Sequence, residues 1–235
     1  MRQIKQPVEV DVIKKAIETT SHGLQAARDQ LQDGISGYEL KAHLDKTFTS
    51  TGLNHGFAPI ISSGSDTCIL HALNYANTVG KSDQVLFDIG AECSNYSADI
   101  SRTYFFGEVS ERKASVFAAV MSVHRHAQAL VKPGLSWRDY VTQVDEIMGE
   151  ELIKIGLIKR NNRDEVRKYF SHAIVHSLGL DVHDPSDYMS FNEGNVFTIE
   201  PGIYIPEEGI GVRIEDDFLV TKDGVENLSA FIPYQ

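Results

Sequence analysis

Four acidic residues sit where a carboxylate is hardest to accommodate. Asp88 interrupts the apolar run Gln84-Val-Leu-Phe-Asp-Ile-Gly90, flanked by Phe87 and Ile89, and a charge in such a strand faces strong desolvation unless something compensates it. Asp99 follows eleven residues later in Tyr-Ser-Ala-Asp-Ile-Ser-Arg-Thr-Tyr, where a second strand can return beside the first. Glu200 ends the apolar run Val-Phe-Thr-Ile and is followed by Pro201-Gly202, a turn signal. Glu215, in Gly-Val-Arg-Ile-Glu-Asp-Asp, shares a strand face with Arg213 by the period of two. Two anions about 4 Å apart repel by roughly 4 kcal/mol at an effective dielectric near 20. If the four converge, two divalent cations would balance them, about +4 against −4; if they do not, each must find its own lysine or arginine.

A histidine cluster favours convergence. His172, His176 and His183 fall within twelve positions, in His172-Ala-Ile-Val-His176-Ser-Leu-Gly-Leu-Asp-Val-His183-Asp184. Imidazole with carboxylates and no thiolate suits manganese, cobalt, iron or zinc in oxygen-rich coordination rather than a structural zinc site. Paired metal ions about 3.5–4 Å apart lower the pKa of a shared water enough for attack on a carbonyl at neutral pH, so hydrolysis is the expected chemistry.

The elements that must position these groups come in two similar sets. Apolar residues at helical spacing mark a helix from Val8 to Leu31, closed by Asp33-Gly34, and Ser36 with Glu39 opens a second that runs to about Ser50 and stops at Gly52. About a hundred residues on, the pattern returns: Ser110 to Lys132, a break at Pro133-Gly134, then a helix opened by Ser136 with Asp139 and ending near Gly156. Gly34-Ile35-Ser36 thus matches Gly134-Leu135-Ser136, and Gly52-Leu53 matches Gly156-Leu157, the mark of a degenerate internal duplication. Strands are expected at Phe57–Ser62, Gln84–Glu92 and Tyr96–Phe106 in the first half and Asn195–Ile205 and Gly211–Thr221 in the second. The expected fold is α+β: two halves with helices packed on a shared, mainly antiparallel sheet, one core, and a site at the seam.

Composition sets the outer bounds. The chain has 235 residues and 42% hydrophobic content, enough for one large domain over residues 1–235. No run approaches the roughly 20 apolar residues of a membrane helix, and no apolar signal region follows Arg2 and Lys5, so a membrane partner is not expected and the cytoplasm is the expected compartment. Cys68 and Cys93, far apart, read as free thiols. A formal net charge of −11 disfavours nucleic acid as a partner.

Phe-Asp-Ile-Gly with Ala-Asp-Ile-Ser-Arg-Thr, the histidine motif from His176 to Asp184, Thr-Ile-Glu-Pro-Gly and Gly-Val-Arg-Ile-Glu-Asp-Asp, in that order over nearly the whole chain, resemble the pita-bread metallopeptidases. Within that family the resemblance is to aminopeptidase P (Xaa-Pro aminopeptidase) and prolidase. It implies two divalent metal ions, manganese above all with cobalt, iron and zinc as alternatives, held by Asp88, Asp99, His176, Glu200 and Glu215. Asp99 and Glu215 would touch both ions, and Glu200 would double as general base. His71, in Cys-Ile-Leu-His-Ala-Leu, matches a substrate-contacting histidine, and His183 one that stabilises the tetrahedral intermediate or moves its proton. His172 and Arg213 match residues lining the site, with Arg213 orienting ligand carboxylates. His22, His43, His55, His124 and His126 match nothing and read as surface or packing residues.

The implied partners are a peptide with a free N-terminus and, as an assembly, a second copy of the chain in a homodimer. Aminopeptidase P and prolidase carry an additional N-terminal domain, and Met1-Arg-Gln-Ile-Lys-Gln-Pro7 resembles the segment that follows it. The expectation is therefore a catalytic domain without that N-terminal creatinase-type domain, whether as a naturally short member or as part of a longer chain. Methionine aminopeptidase shares the fold and is close to this length, but its signature around the last histidines differs. Creatinase-like enzymes lack the metal set, and non-catalytic pita-bread binding modules typically lose ligands.

Overall fold

In the computed structural model, which describes residues 2–235, the duplication is visible in matching backbone geometry. The first half opens with helices α1 (Pro7–Arg28) and α2 (Gly37–Ser50), the second with α3 (Glu111–Leu130) and α4 (Trp137–Lys154). Gly34 and Gly134 turn the chain with φ of 83° and 84°, a left-handed conformation that costs glycine little and an L side chain much more. Each then donates its N–H across to a distant loop at 2.8 Å, Gly34 to Val79 O and Gly134 to Phe191 O. Ser36 and Ser136 cap the helices that follow by accepting from the N–H of Glu39 and Asp139. Ser36 also bridges to Thr78 and Ser136 to Ser190, one loop in each half.

Between the helix pairs every strand pairing among the described residues is antiparallel. In the first half β2 (Ile60–Ser63) pairs with β3 (Gln84–Ile89), which pairs with β6 (Ile100–Phe105); β1 (Asn54–His55), β4 (Ala91–Cys93) and β5 (Tyr96–Ser97) form a smaller ladder. In the second half β8 (Gly202–Ile205) pairs with β9 (Ile210–Arg213), and β7 (Val196–Ile199), β10 (Asp216–Thr221) and β11 (Gly224–Asn227) form the other ladder. Each half has its own apolar core, around Ile13, Ile17, Leu44 and Phe87 in one and Val120, Tyr140, Phe197 and Phe218 in the other. Hydrogen bonds join the halves at the seam: Glu215 N–H donates to Ser101 O at 3.0 Å, and the Thr103 side-chain Oγ1 donates to Arg213 O at 3.0 Å while accepting from Arg213 N–H at 3.1 Å.

The continuous strands expected from composition are divided. Gln84–Glu92 breaks at Gly90, Tyr96–Phe106 at Ala98-Asp99, Asn195–Ile205 at Glu200-Pro201 and Gly211–Thr221 at Ile214-Glu215. Asp99, Glu200 and Glu215 therefore stand at interruptions, where the chain is released from its ladder and can turn a carboxylate inward. Helix α5 (Arg163–Tyr169) was not anticipated; its seven mostly charged residues carry no apolar periodicity. Its one legible signal is the cap, in which Asn162 Oδ1 accepts from Glu165 N–H at 3.0 Å.

Gly90 marks a close approach of backbones beside the seam. A Cβ there would lie 1.8 Å from Ala98 O, immediately before Asp99. Gly90→Ala is expected to destabilise the fold by about 3 kcal/mol, the upper range of overpacking, because the obstructing atom is backbone and cannot swing aside. Denaturant titration checks this: the midpoint should fall at unchanged slope, and an unaltered midpoint would contradict it.

Candidate metal centre

Three ligand atoms lie closest together. One oxygen each of Asp99 and Glu215 and a ring nitrogen of His176 fall within 4.8 Å of one another, all on buried residues. His176 Nε2 stands 3.4 Å from Asp99 Oδ2, 3.5 Å from Glu200 Oε1 and 3.7 Å from Glu215 Oε1. It is brought there because residues 174–178 run beside β7: Thr198 N–H donates to His176 O and Glu200 N–H to Ile174 O, both at 2.9 Å. The other ring nitrogen, Nδ1, faces Ser177 O at 3.2 Å. With Nδ1–H donated to that carbonyl, Nε2 is left free for a cation.

Asp88 enters from β3 and is held by Arg213, whose Nη2 donates to Asp88 Oδ2 at 2.6 Å. The same guanidinium donates from Nε to Ser101 Oγ and from Nη1 to Tyr204 Oη, each at 2.9 Å. Ser101 Oγ in turn donates to Glu215 Oε2 at 2.7 Å. Arg213 thus touches Asp88 directly and reaches Glu215 through Ser101. His172 Nδ1 lies 3.3 Å from Glu200 Oε2, and its Nε2 meets Tyr204 Oη at 2.9 Å.

The electrostatics of this arrangement disfavour a cluster of bare, ionised carboxylates. Burial, and next the charge of Glu215, push Asp99 and Glu200 well above the usual carboxylate range. Burial raises Asp88 as well, against the pull of Arg213. Burial also opposes ionisation of Glu215, yet His176, Arg213 and the Ser101 hydroxyl together hold it low. Burial disfavours the charged form of His176 too, but the surrounding carboxylates override it and raise this imidazole well above its ordinary value. His172 moves the other way, down to about 4, through burial and the nearby Arg213 charge.

Asp88 Oδ1 and Asp99 Oδ1 are buried, and no donor among the described residues satisfies either oxygen. Buried polar atoms are rarely left unpaired, and carboxylate oxygens aimed at one centre beside a histidine nitrogen fit divalent metal ions.

All nine site residues read from the sequence line one cavity of about 1230 Å³: His71, Asp88, Asp99, His172, His176, His183, Glu200, Arg213 and Glu215. His71 and His183 are exposed on its wall, and the His183 ring packs against that of His176 with centroids 4.2 Å apart. The five unmatched histidines stay outside that lining. His55 Nε2 is bonded to Asp45 at 2.7 Å, His126 is exposed, and His124 is buried with Nε2 3.1 Å from Asp216 Oδ2.

Sequence reasoning missed Ser101, Tyr204 and Asp217. Tyr204, pushed up to about 12 by burial, reads in Gly-Ile-Tyr-Ile as an ordinary strand residue. Asp217 Oδ2 accepts from Asp99 N–H at 3.1 Å and so fixes the backbone beneath the Asp99 carboxylate. Only the tandem acids Asp216-Asp217 after Glu215 hinted at it.

Two duplicated α+β halves with carboxylates and a histidine converging at their seam define a pita-bread metallopeptidase. The chain belongs to metallopeptidase family M24, whose model matches residues 11–222. It is 33% identical, over 99% of its length, to the Xaa-Pro aminopeptidase of Escherichia coli K12 and 32% identical, over 97%, to the Xaa-Pro dipeptidase of Pyrococcus horikoshii. It spans 57% and 63% of those relatives. Among solved structures, a chain from Bacillus anthracis assigned as an aminopeptidase P superposes with a TM-score of 0.96 at 37% identity, and Escherichia coli aminopeptidase P in complex with substrate with 0.93 at 32%. All of this chain is covered in both, against 56% and 58% of theirs.

Proposed function

We propose that this chain is a dinuclear-metal aminopeptidase that hydrolyses the first peptide bond of its substrate, with Xaa-Pro peptides preferred. The observation that carries the reading is the placement of Asp88, Asp99, His176, Glu200 and Glu215 on one cavity with two carboxylate oxygens left unpartnered. These five residues would hold the ions, with manganese as the native metal. When bound, the ions supply Lewis acidity and a nucleophile at neutral pH. Glu200 takes up the proton of the attacking water. His183 donates to the oxygen on which charge develops or passes a proton onward, and His71 contacts the substrate. Arg213 and Tyr204 keep Asp88 and His172 in place throughout.

The substrate's α-amine lies beside Asp88, which confines cleavage to the first bond; N-acetylated peptides should resist. Proline is favoured at the second position because its rigid ring loses little entropy on being held. The cavity's volume leaves room for tripeptides and longer chains beyond the dipeptide. Initial rates on matched Xaa-Pro-Yaa, Xaa-Ala-Yaa, Met-Ala-Yaa and Xaa-Pro peptides in manganese should rank the first highest. Cleavage of the dipeptide alone would establish the prolidase reading, which the identity to the Pyrococcus horikoshii Xaa-Pro dipeptidase favours as second choice. Preferential release of methionine would replace both with methionine aminopeptidase, and metal binding without any turnover would leave a peptide-binding module.

No helix among the described residues is long and apolar enough to cross a membrane. Both cysteines are free, as suits a reducing cytoplasm. The family resemblance extends the reading to a homodimer, which sedimentation analysis would test.

A further inference from the structure

The turn that carries His183 is held from outside the catalytic motifs. Asp184, the next residue, is fully buried, and its carboxylate meets Lys5 Nζ at 3.1 Å, with both side chains about 1% exposed. Arg2 pairs with the other carboxylate oxygen and also with Asp181 at 2.7 Å. Within the turn, Asp184 N–H donates to Ser177 O at 2.8 Å and Gly179 N–H to Asp181 O at 3.1 Å, so residues 177–184 close on themselves around this carboxylate. A Cβ on Gly179 would lie 2.7 Å from Asp184 Oδ2 and 2.9 Å from Lys5 Cε, which leaves the ion pair no room to shift that way. His176 stands just before this turn and His183 within it, their rings in contact.

We propose that Lys5, acting through Asp184, is a positioning residue for His183. Arg2 holds only one of the two carboxylate oxygens, so without the Lys5 ammonium the buried Oδ2 must find water or another partner, and the turn built around it moves in doing so. Lys5 is not among the residues that line the cavity, so its effect on the reaction passes through the position of the His183 imidazole. The backbone anchor is independent of the side chain: Lys5 N–H donates to Gly194 O at 2.8 Å, and Asn195 Nδ2 donates to Gln3 O at 3.0 Å. Lys5→Met therefore removes the charge while keeping the segment in place.

The proposal rests on the peptidase reading, and its test is a mutant cycle of Lys5→Met with His183→Ala in the full chain loaded with manganese. Lys5→Met is expected to lower kcat about tenfold with KM and metal content near wild type, since a displacement of about 1 Å in a reacting group suffices for such a loss. In the His183→Ala background the same substitution should cost almost nothing, because the group it positions is gone. An unchanged kcat for Lys5→Met, or losses that simply add, would overturn the proposal. Should Lys5→Met fail to fold, Arg2→Ala takes its place in the cycle, with about a threefold loss expected from the more exposed partner. A wild-type chain without turnover would refute the peptidase reading instead. The clamp would then be judged by the His183 imidazole resonances, identified by their absence in His183→Ala; they should move in Lys5→Met, and unmoved resonances would reject the clamp.

Discussion

Glu215→Ala should leave the chain unable to retain its pair of metal ions and should reduce peptide hydrolysis on the order of a thousandfold or more, beyond the roughly 10- to 100-fold typical of residues that merely support ligands. Wild-type protein saturated with manganese should carry about two ions per chain, as the charge of four converging carboxylates requires. Glu215 is the buried carboxylate whose ionised form the site protects, through His176, Arg213 and Ser101. Its removal takes a charge from the centre and leaves the Ser101 hydroxyl without its acceptor. Asp99→Asn should behave similarly, since its second oxygen has no other partner. Ser101→Ala provides the graded control: it loosens Glu215 without deleting it, and should fall within the smaller range. Elemental analysis decides the matter. Chelation should abolish activity, and manganese or cobalt should restore it. Well under one ion per chain at saturating manganese, with activity intact, would defeat the two-metal mechanism.

His183→Ala should separate chemistry from metal binding. Its imidazole lines the cavity and contacts the His176 ring. Burial, and next the charge of His176, hold its pKa below the ordinary histidine value, so at neutral pH it is a neutral imidazole that can give or take a proton. Loss of one such group costs about a hundredfold or more in kcat, from the lower end of the range for general acid–base and oxyanion contacts upward. Metal content should stay at the wild-type level. Metal loss in this variant would mean that His183 is a ligand, and a full-speed variant would mean that it takes no part in the reaction.

Much of this centre could be read from local order. The four helices, with Ser36 and Ser136 as caps, are legible because a helix is closed by residues three and four apart, and its apolar stripe and cap lie in one short window. The duplication follows from two copies of one turn and cap pattern. The acids stand out because desolvation by apolar neighbours is written into their own segments. Their roles came from motifs in register, and the cavity then gathered all nine residues.

What local order could not give is whatever depends on partners a hundred or more residues away. The seam is made by Thr103 with Arg213, Ser101 with Glu215 and Asp99 N–H with Asp217, separations of 110, 114 and 118 residues. No window of sequence holds both members of such a pair, so Ser101 and Asp217 looked like ordinary strand residues. The strand breaks are equally non-local: composition sees one apolar run through Ile199 and Ile203, whereas Glu200 is released between them because His172, His176 and the seam occupy the space beside it. Lys5 is the extreme case. Its sequence neighbourhood is that of a solvated lysine before a helix, and only closure of the chain across 179 residues buries it against Asp184. Chain order thus determined which groups could do the chemistry, while the ion pairs and backbone bonds between the halves decided where each one points, because desolvated charges accept few geometries.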